Sequence, residues 1–323
     1  MPPPPQKILV LGAGELGLSV LSALCTHPSR HIPSAATITV LLRTSKPSLT
    51  SQLTSWGVET VYADIAVATK EELAGIFGEY DTVIGCTGMG LPGGTQIKSA
   101  RAVLQAGKVR EHGPEGKGPL RYLPWQFGVD YDAIGRGSGQ DLFDEQLDVR
   151  ELLRGQDVVK WVILSTGMFM SFLFEEVFGV VEELKIADER GEERGVKVRA
   201  LGGAENKVTV TSVEDIGRVV AQVVFEGREI GGVVFTAGQT VGYRQLAEIL
   251  GEVLGRKVEV EDWSVGQLRA ELDEKPDDSM RKYRLVFAAG KGVWWDEEGT
   301  LEKQIGLILQ DVKAWCLQNL RRN

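Results

Sequence analysis

Short apolar runs alternate with amphipathic stretches through the first half of the chain. Lys7–Leu11 is an apolar run that stops at glycine, the pattern of a strand buried on both faces. From Gly17 to Leu24 the apolar positions take helical spacing, and Thr37–Leu42 is a second strand ending on Arg43. Ser48–Trp56 reads as helix, Glu59–Ala63 as strand, Lys70–Phe77 as helix and Asp81–Thr87 as strand. Gln96–Ala106 is a helix that Gly107 is expected to close. Leu120–Pro124 and Lys160–Ser165 are further strands. Between them, Asp141–Arg154 sets Phe143, Leu147, Leu152 and Leu153 along one helix face. Such alternation predicts an α/β fold, a Rossmann-type doubly wound parallel sheet with helices on both faces.

After about residue 170 the rhythm changes. Phe172–Glu183 is apolar and aromatic, and Asp188–Lys197 reads as a charged turn region. Lys207–Val210 is a short strand, Val213–Phe225 a helix, Gly232–Thr236 a strand, Tyr243–Leu254 a helix, and Leu301–Leu320 a final long helix. The expected organisation is a dinucleotide-binding domain over 1–165 and a smaller C-terminal substrate lobe over 166–323. A late strand at about 232–236 is expected to return to the main region.

Composition narrows the class. The chain has 323 residues, 43% hydrophobic and 25% charged, as in ordinary globular proteins. Its net charge of -9 argues against a nucleic-acid partner, which calls for a basic surface. Cys25, Cys86 and Cys316 form neither a disulfide framework nor a metal site, which suits a reducing compartment. No run suits a membrane span, and the proline-rich start, Met1–Pro5, lacks a signal-peptide core. Cytoplasm is the expected location.

The segment Val10-Leu-Gly-Ala-Gly-Glu-Leu-Gly17 supplies Gly12, Gly14 and Gly17 in GxGxxG spacing. The first glycine permits a tight turn, the second lets a pyrophosphate approach the backbone, and the third lets helix and sheet pack closely. The motif follows a strand and opens a helix, which favours phosphate binding over a merely glycine-rich turn. Glu15 and Leu16 lie within it. An NAD site usually carries an acidic residue at the end of the second strand. This chain has Arg43, Thr44, Ser45 and Lys46 there, a set that attracts a 2′-phosphate and predicts NADP(H). A solvated basic turn is the competing reading. Asp64 is a candidate for the adenine amino group or a plain loop aspartate. Thr87 and Gly88, ending the fourth strand, are candidate neighbours of the nicotinamide ribose.

These motifs together resemble the NmrA-like and isoflavone-reductase-like atypical short-chain dehydrogenase/reductases. Further carriers are Arg121-Tyr-Leu-Pro-Trp-Gln-Phe-Gly128, Leu142-Phe-Asp-Glu-Gln-Leu-Asp-Val-Arg150 and Val208-Thr-Val-Thr-Ser-Val-Glu-Asp-Ile-Gly-Arg218. The resemblance implies an NADP(H)-binding Rossmann domain and a smaller substrate lobe. The family's phosphate turn is usually GxxGxxG, one residue longer than here. Gln126 and Phe127 match a stretch that passes the nicotinamide in reductases of the family, and Ser165–Phe169 matches another facing nicotinamide and substrate. Phenylcoumaran benzylic ether reductase and isoflavone reductase carry a general acid/base lysine on the helix that matches Asp141–Arg154. Gln146 stands at that position, and a glutamine has no titratable proton. The Tyr-x-x-x-Lys pair of ordinary short-chain dehydrogenases is also absent.

The candidate catalytic residues are therefore Gln146, to polarise an acceptor, and Tyr131, to supply a proton alongside water. A half-buried packing tyrosine is the competing reading for the latter. Asp144, Glu145 and Asp148 read as a solvated acidic helix face, and His112 as an exposed loop histidine. Trp125, Met168, Phe169 and Phe172 are candidates for substrate binding; lobe-interface core is the alternative for the aromatic stretch. Trp294 and Trp295 read as packing, and no metal pattern is visible. The leading expectation is an NADPH-dependent reductase of a small apolar or aromatic, secondary-metabolite-like carbonyl, imine or activated alkene. The alternatives are an NADP(H)-sensing regulator that docks a protein partner without turnover, and an NADP-containing isomerase or cyclase.

Overall fold

The computed structural model describes residues 5–32, 35–88, 90–111, 118–188, 191–227 and 229–320. The proline tail over 1–4 and His112 lie outside those residues. The elements run β1 (Lys7–Leu11), α1 (Glu15–Thr26), β2 (Thr37–Leu42), α2 (Pro47–Ser55), β3 (Glu59–Tyr62) and α3 (Lys70–Phe77). Next come β4 (Thr82–Gly85), α4 (Thr95–Glu111), β5 (Arg121–Leu123), α5 (Tyr131–Ile134), α6 (Asp141–Arg154) and β6 (Lys160–Ser165). Then follow β7 (Met168–Phe169), β8 (Val181–Asp188), β9 (Gly191–Leu201), β10 (Lys207–Thr211), α7 (Val213–Phe225), β11 (Gly232–Phe235) and β12 (Gln239–Gly242). The chain closes with α8 (Tyr243–Leu254), β13 (Val258–Trp263), α9 (Val265–Glu274), α10 (Ser279–Ala289), α11 (Leu301–Ile305) and α12 (Val312–Asn319).

Two compact units are present. The first holds 1–127, 145–164 and 216–234, and the second 128–144, 165–215 and 235–323. The chain thus passes between them at five places, and β11 lies in the large sheet of the first unit beside β6.

The first unit is built on a seven-stranded sheet ordered β11-β6-β5-β4-β1-β2-β3. Strands β1 to β6 pair in parallel. The central strands β1, β2 and β4 are buried almost throughout because both faces are covered, whereas the edge strand β3 exposes Glu59 and Tyr62. Leu9, Leu11, Leu41, Val83, Tyr122 and Ile163 face a core shared with α3, α4 and α6. The alternate positions, among them Ile8, Val10, Ile38 and Val40, are also buried, as the period of two along a strand requires. On that side α1 contacts β1 and β2, and α7 crosses α1 so closely that a Cβ on Gly217 would lie 2.5 Å from Ser19 Oγ. The expected doubly wound sheet is present. The topology reverses at β1, between β4 and β2, where ligands lie at the carboxyl ends of such sheets.

Arg121 explains one motif structurally. Its buried guanidinium donates to Val223 O at 2.8 Å, Gly227 O at 2.7 Å and Ile230 O at 3.1 Å, satisfying carbonyls at and after the end of α7.

The second unit contains two three-stranded sheets, β12-β10-β7 and β13-β9-β8. Three local expectations need correction. Gly107 does not end a helix: α4 continues to Glu111, and the glycine is there because a Cβ would sit 2.5 Å from Val159 Cγ2. Within the expected charged turn region, β8 runs to Asp188 and β9 starts at Gly191, and the two strands pair antiparallel. Leu301–Leu320 is two helices, since Gly306 takes φ +67 and stops α11.

Candidate functional site

Gly12 leaves β1 with φ +95, a region L side chains rarely adopt. Its N–H donates to Leu41 O at 2.9 Å, and a Cβ would fall 1.9 Å from Thr87 Oγ1. That hydroxyl donates to Leu11 O at 2.6 Å, tying the end of β4 to the turn. A Cβ on Gly17 would meet Gly12 O at 2.2 Å, so this glycine brings α1 against the turn. Gly14 differs from both. It precedes α1 with φ -76, offers no side-chain cap, and an added Cβ would meet nothing within 4 Å. The turn is therefore closed at Gly12 and Gly17 and open at Gly14, beside backbone N–H groups that a helix start leaves unpaired. Leu16 is buried beneath it, while Glu15 is exposed and engaged with other groups.

At the end of β2, Arg43, Thr44, Ser45 and Lys46 are all exposed. Neither Arg43 nor Lys46 has an ion-pair partner among the described residues. Tyr62, at the end of β3 and in register with Leu42, stands beside this turn. Hydrogen bonds from Thr60 first, then from Ser45 and Thr50, hold its phenol below the ordinary value. The sequence reading missed Tyr62, since only strand register brings it to Ser45. Asp64 accepts from Ala66 N at 2.9 Å, and Lys98 Nζ donates to Ala66 O and Ala68 O at 2.9 Å each. The Asp64 carboxylate thus shapes its own loop.

The carboxyl ends of β4 and β5 are joined by Trp125. A Cβ on Gly88 would lie 2.0 Å from its indole ring, and one on Gly85 2.7 Å from its backbone N. The ring lies directly on Gly88. Beyond it, Gln126 and Phe127 are buried. The Gln126 amide is bonded at both ends inside the protein: Nε2 donates to Gln146 O at 2.9 Å, and Oε1 accepts from Arg150 Nε at 2.8 Å.

Helix α6 is fixed from the other side by Glu145. Its Oε1 accepts from Gln96 N at 2.7 Å and Ile97 N at 3.1 Å, filling the start of α4. Gln96 in turn donates from Nε2 to Thr87 O at 2.9 Å. The expected solvated acidic face does not describe Glu145, which links α6 to α4 and, through Gln96, to the end of β4. Between these anchors Gln146 is 1% exposed, and neither Oε1 nor Nε2 has a hydrogen-bond partner among the described residues. The glycine turn, Arg43–Lys46, Thr87, Gly88, Trp125, Gln126, Phe127 and Gln146 all belong to the first unit.

Tyr131, Met168, Phe169 and Phe172 belong to the second. Tyr131 is 6% exposed, its ring edge-on to Phe143 with centroids 5.0 Å apart. A Cβ on Gly128 would lie 2.5 Å from its hydroxyl oxygen. Phe143 also meets Tyr283, whose phenol burial pushes up to about 12. Phe172 stacks on Phe178 at 4.6 Å, and Met168 is buried in β7 opposite Val210. Phe169 is half-buried. Asp144 accepts from Gly137 N at 3.0 Å, a loop contact. Trp295 packs edge-on to Phe235, and Lys207 lies over the Trp294 ring. Among the described residues no cluster of His, Cys, Asp or Glu would hold a metal, and no helix is long and apolar enough to cross a membrane.

A curated protein of Gibberella moniliformis (strain M3125 / FGSC 7600), described as an NmrA-like family domain-containing oxidoreductase, is 43% identical over 322 residues, covering 96% of this chain and 97% of that protein. Among solved structures, an isoflavone reductase superposes with a TM-score of 0.74 at 18% identity, over 98% of this chain and 99% of that one. The binary complex of leucoanthocyanidin reductase with NADPH from Vitis vinifera gives 0.72 at 18% identity, over 98% and 100%. These two likenesses concern the fold. The model of the NmrA-like family matches residues 4–302, and with the 43% identical relative it establishes that this chain belongs to the NmrA-like family.

Proposed function

We propose that the protein is an NADPH-dependent reductase of a small apolar or aromatic carbonyl, imine or activated alkene. One observation carries the cofactor half of this reading: the turn is sterically closed at Gly12 and Gly17 and open at Gly14, and the next strand ends on Arg43 and Lys46, which have no ion-pair partner among the described residues. The open position suits a pyrophosphate on the α1 start, and the two cations suit a 2′-phosphate. Thr44 and Ser45 can donate to the same phosphate, and Thr87 and Gly88 adjoin the nicotinamide ribose. The 43% identical relative, described as an oxidoreductase, supports the reductase half, as does the NADPH in the leucoanthocyanidin reductase complex.

Bound NADPH supplies hydride from the nicotinamide C4 to the acceptor carbon, and a proton completes the reduction. Gln146 orients and polarises the acceptor without exchanging a proton. Met168, Phe169 and Phe172 of the second unit are the candidates for apolar substrate contact, and Tyr131 for proton supply. Loss of NADPH absorbance against a panel of ketones, imines and enones tests the reading.

Gln146 at the family's lysine position favours a second reading, an NADP(H)-sensing protein that docks a regulatory partner. Tight NADPH binding with no turnover across the panel is its expected signature. Product formation without NADPH loss points instead to an isomerase.

A further inference from the structure

Gln146 presents an unusual inventory. Buried polar groups in folded proteins almost always find partners, and an orphaned one is costly. Here both ends of one amide are orphaned, at 1% exposure. The result does not depend on which way the amide is turned, since neither atom has a partner among the described residues.

The surrounding bonds hold the residue in place. Its backbone carbonyl accepts from Gln126 Nε2, Gln126 is fixed by Arg150, and the preceding Glu145 is bound to the start of α4. Gln126 follows Trp125, whose ring lies on Gly88, and Gln96 of α4 holds Thr87 O. The Gln146 backbone is thus anchored to the segments that follow the carboxyl ends of β4 and β5, the edge where ligands lie in parallel sheets.

A glutamine amide sets an acceptor and a donor side by side. A simple carbonyl satisfies Nε2 and leaves Oε1 bare. A carboxamide or lactam satisfies both in one planar pair, its N–H donated to Oε1 and its C=O accepting from Nε2. We propose that Gln146 is a binding residue for a carboxamide or lactam group. This rests on the nicotinamide-cofactor reading in one respect: the group comes either from the nicotinamide carboxamide or from the substrate.

Binding measurements separate the two sources without turnover. Wild type and Gln146→Met are titrated with NADPH and with its acetylpyridine analogue, which keeps the carbonyl and lacks the N–H. If the cofactor is the source, wild type prefers NADPH by about tenfold and the variant shows no preference. If the substrate is the source, the two cofactors bind alike. With NADP⁺ saturating, wild type then binds dihydroisoquinolinone about tenfold tighter than tetralone, the ketone of the same skeleton, and the variant does not. Absence of both preferences, or their survival in Gln146→Met, overturns the proposal and leaves the amide to an internal water. Without ligand, Gln146→Met is expected to melt no lower than wild type, because an orphaned amide is replaced by an apolar chain of similar length. Gln146→Leu is the second variant, and absence of both preferences in wild type overturns the proposal whether or not either variant folds. Binding of 2′-phospho-ADP-ribose, which lacks nicotinamide, is expected to be equal in wild type and variant. If it does not bind at all, the cofactor reading fails, and the lactam–ketone comparison on the ligand-free protein still decides this one.

Discussion

Gly12→Ala and Gly14→Ala lie two residues apart in the same turn and are expected to fail in opposite ways. At Gly12 the alanine is forced to φ +95, which costs roughly 1–2 kcal/mol. Its Cβ would fall 1.9 Å from Thr87 Oγ1, so that side chain must move and give up its 2.6 Å bond to Leu11 O. That bond contributes about 0.5–1.5 kcal/mol, and the sum lowers the melting temperature of a chain this long by roughly 2–5 °C. At Gly14, φ is -76 and no atom lies within 4 Å of the added methyl. Alanine restrains the unfolded chain by about 0.4–1 kcal/mol and caps α1 a few tenths less well than glycine. Stability is therefore expected to change by less than about 0.5 kcal/mol. On the proposed placement of the pyrophosphate the methyl would occupy its approach, so NADPH affinity should fall by about tenfold or more. Thermal denaturation and fluorescence titration of NADPH measure both quantities. A Gly14→Ala variant that binds NADPH like wild type refutes the placement of the phosphates, and a Gly12→Ala variant that melts with wild type refutes the steric account.

Arg43→Ala should weaken NADPH by about tenfold or more, the worth of a charge-assisted bond, and leave NADH unchanged; equal losses for both would remove the 2′-phosphate assignment. Glu145→Ala exposes two N–H groups of α4 and should cost about 1–3 kcal/mol of stability, with Glu145→Gln recovering most of it because one carbonyl oxygen remains; a calorimetric series in which both variants melt alike contradicts this. Arg121→Met strands three carbonyls and should destabilise by about 3 kcal/mol or more, an effect absent if chemical denaturation midpoints coincide. Burial raises the Tyr283 phenol to about 12 and pushes Tyr122 and Tyr243 up as well. The unfolded chain loses these protons near pH 10 while the folded one keeps them. Stability should be intact below about pH 10 and fall from there as the pH rises through the folded values; a denaturation midpoint that stays flat between about pH 10 and 11 argues against it.

The central strands were legible because β1 and β4 are apolar on both faces and run into glycine, so one run such as Lys7–Leu11 identifies a strand without its neighbours. Gly107 misled because a helix-closing glycine and a glycine pressed by Val159 look alike until the second element is in place. The β8–β9 pairing was hidden by charge, since Glu182, Glu183 and Arg199 are interspersed among the residues of the two strands although Val196, Val198, Ala200 and Leu201 of β9 are buried. In the candidate site, the glycine turn and Arg43 were visible as local spacing. Glu145 was not: its partners Gln96 and Ile97 are 49 and 48 residues away, and on the helix alone it reads as one more solvated acid. Tyr62 was missed for the same reason, being placed by strand register.

The guanidinium of Arg121 has a consequence for how the chain is made. Its three acceptors lie 102, 106 and 109 residues further on. At roughly 5–20 residues per second, translation takes about 5–20 s to deliver them. During that interval the nascent sheet has β1 to β6 but neither α7 nor β11, so apolar surface and a cationic side chain await cover. A fragment ending near residue 165 is frozen at that stage. It is expected to aggregate on release rather than serve as an independent dinucleotide-binding domain.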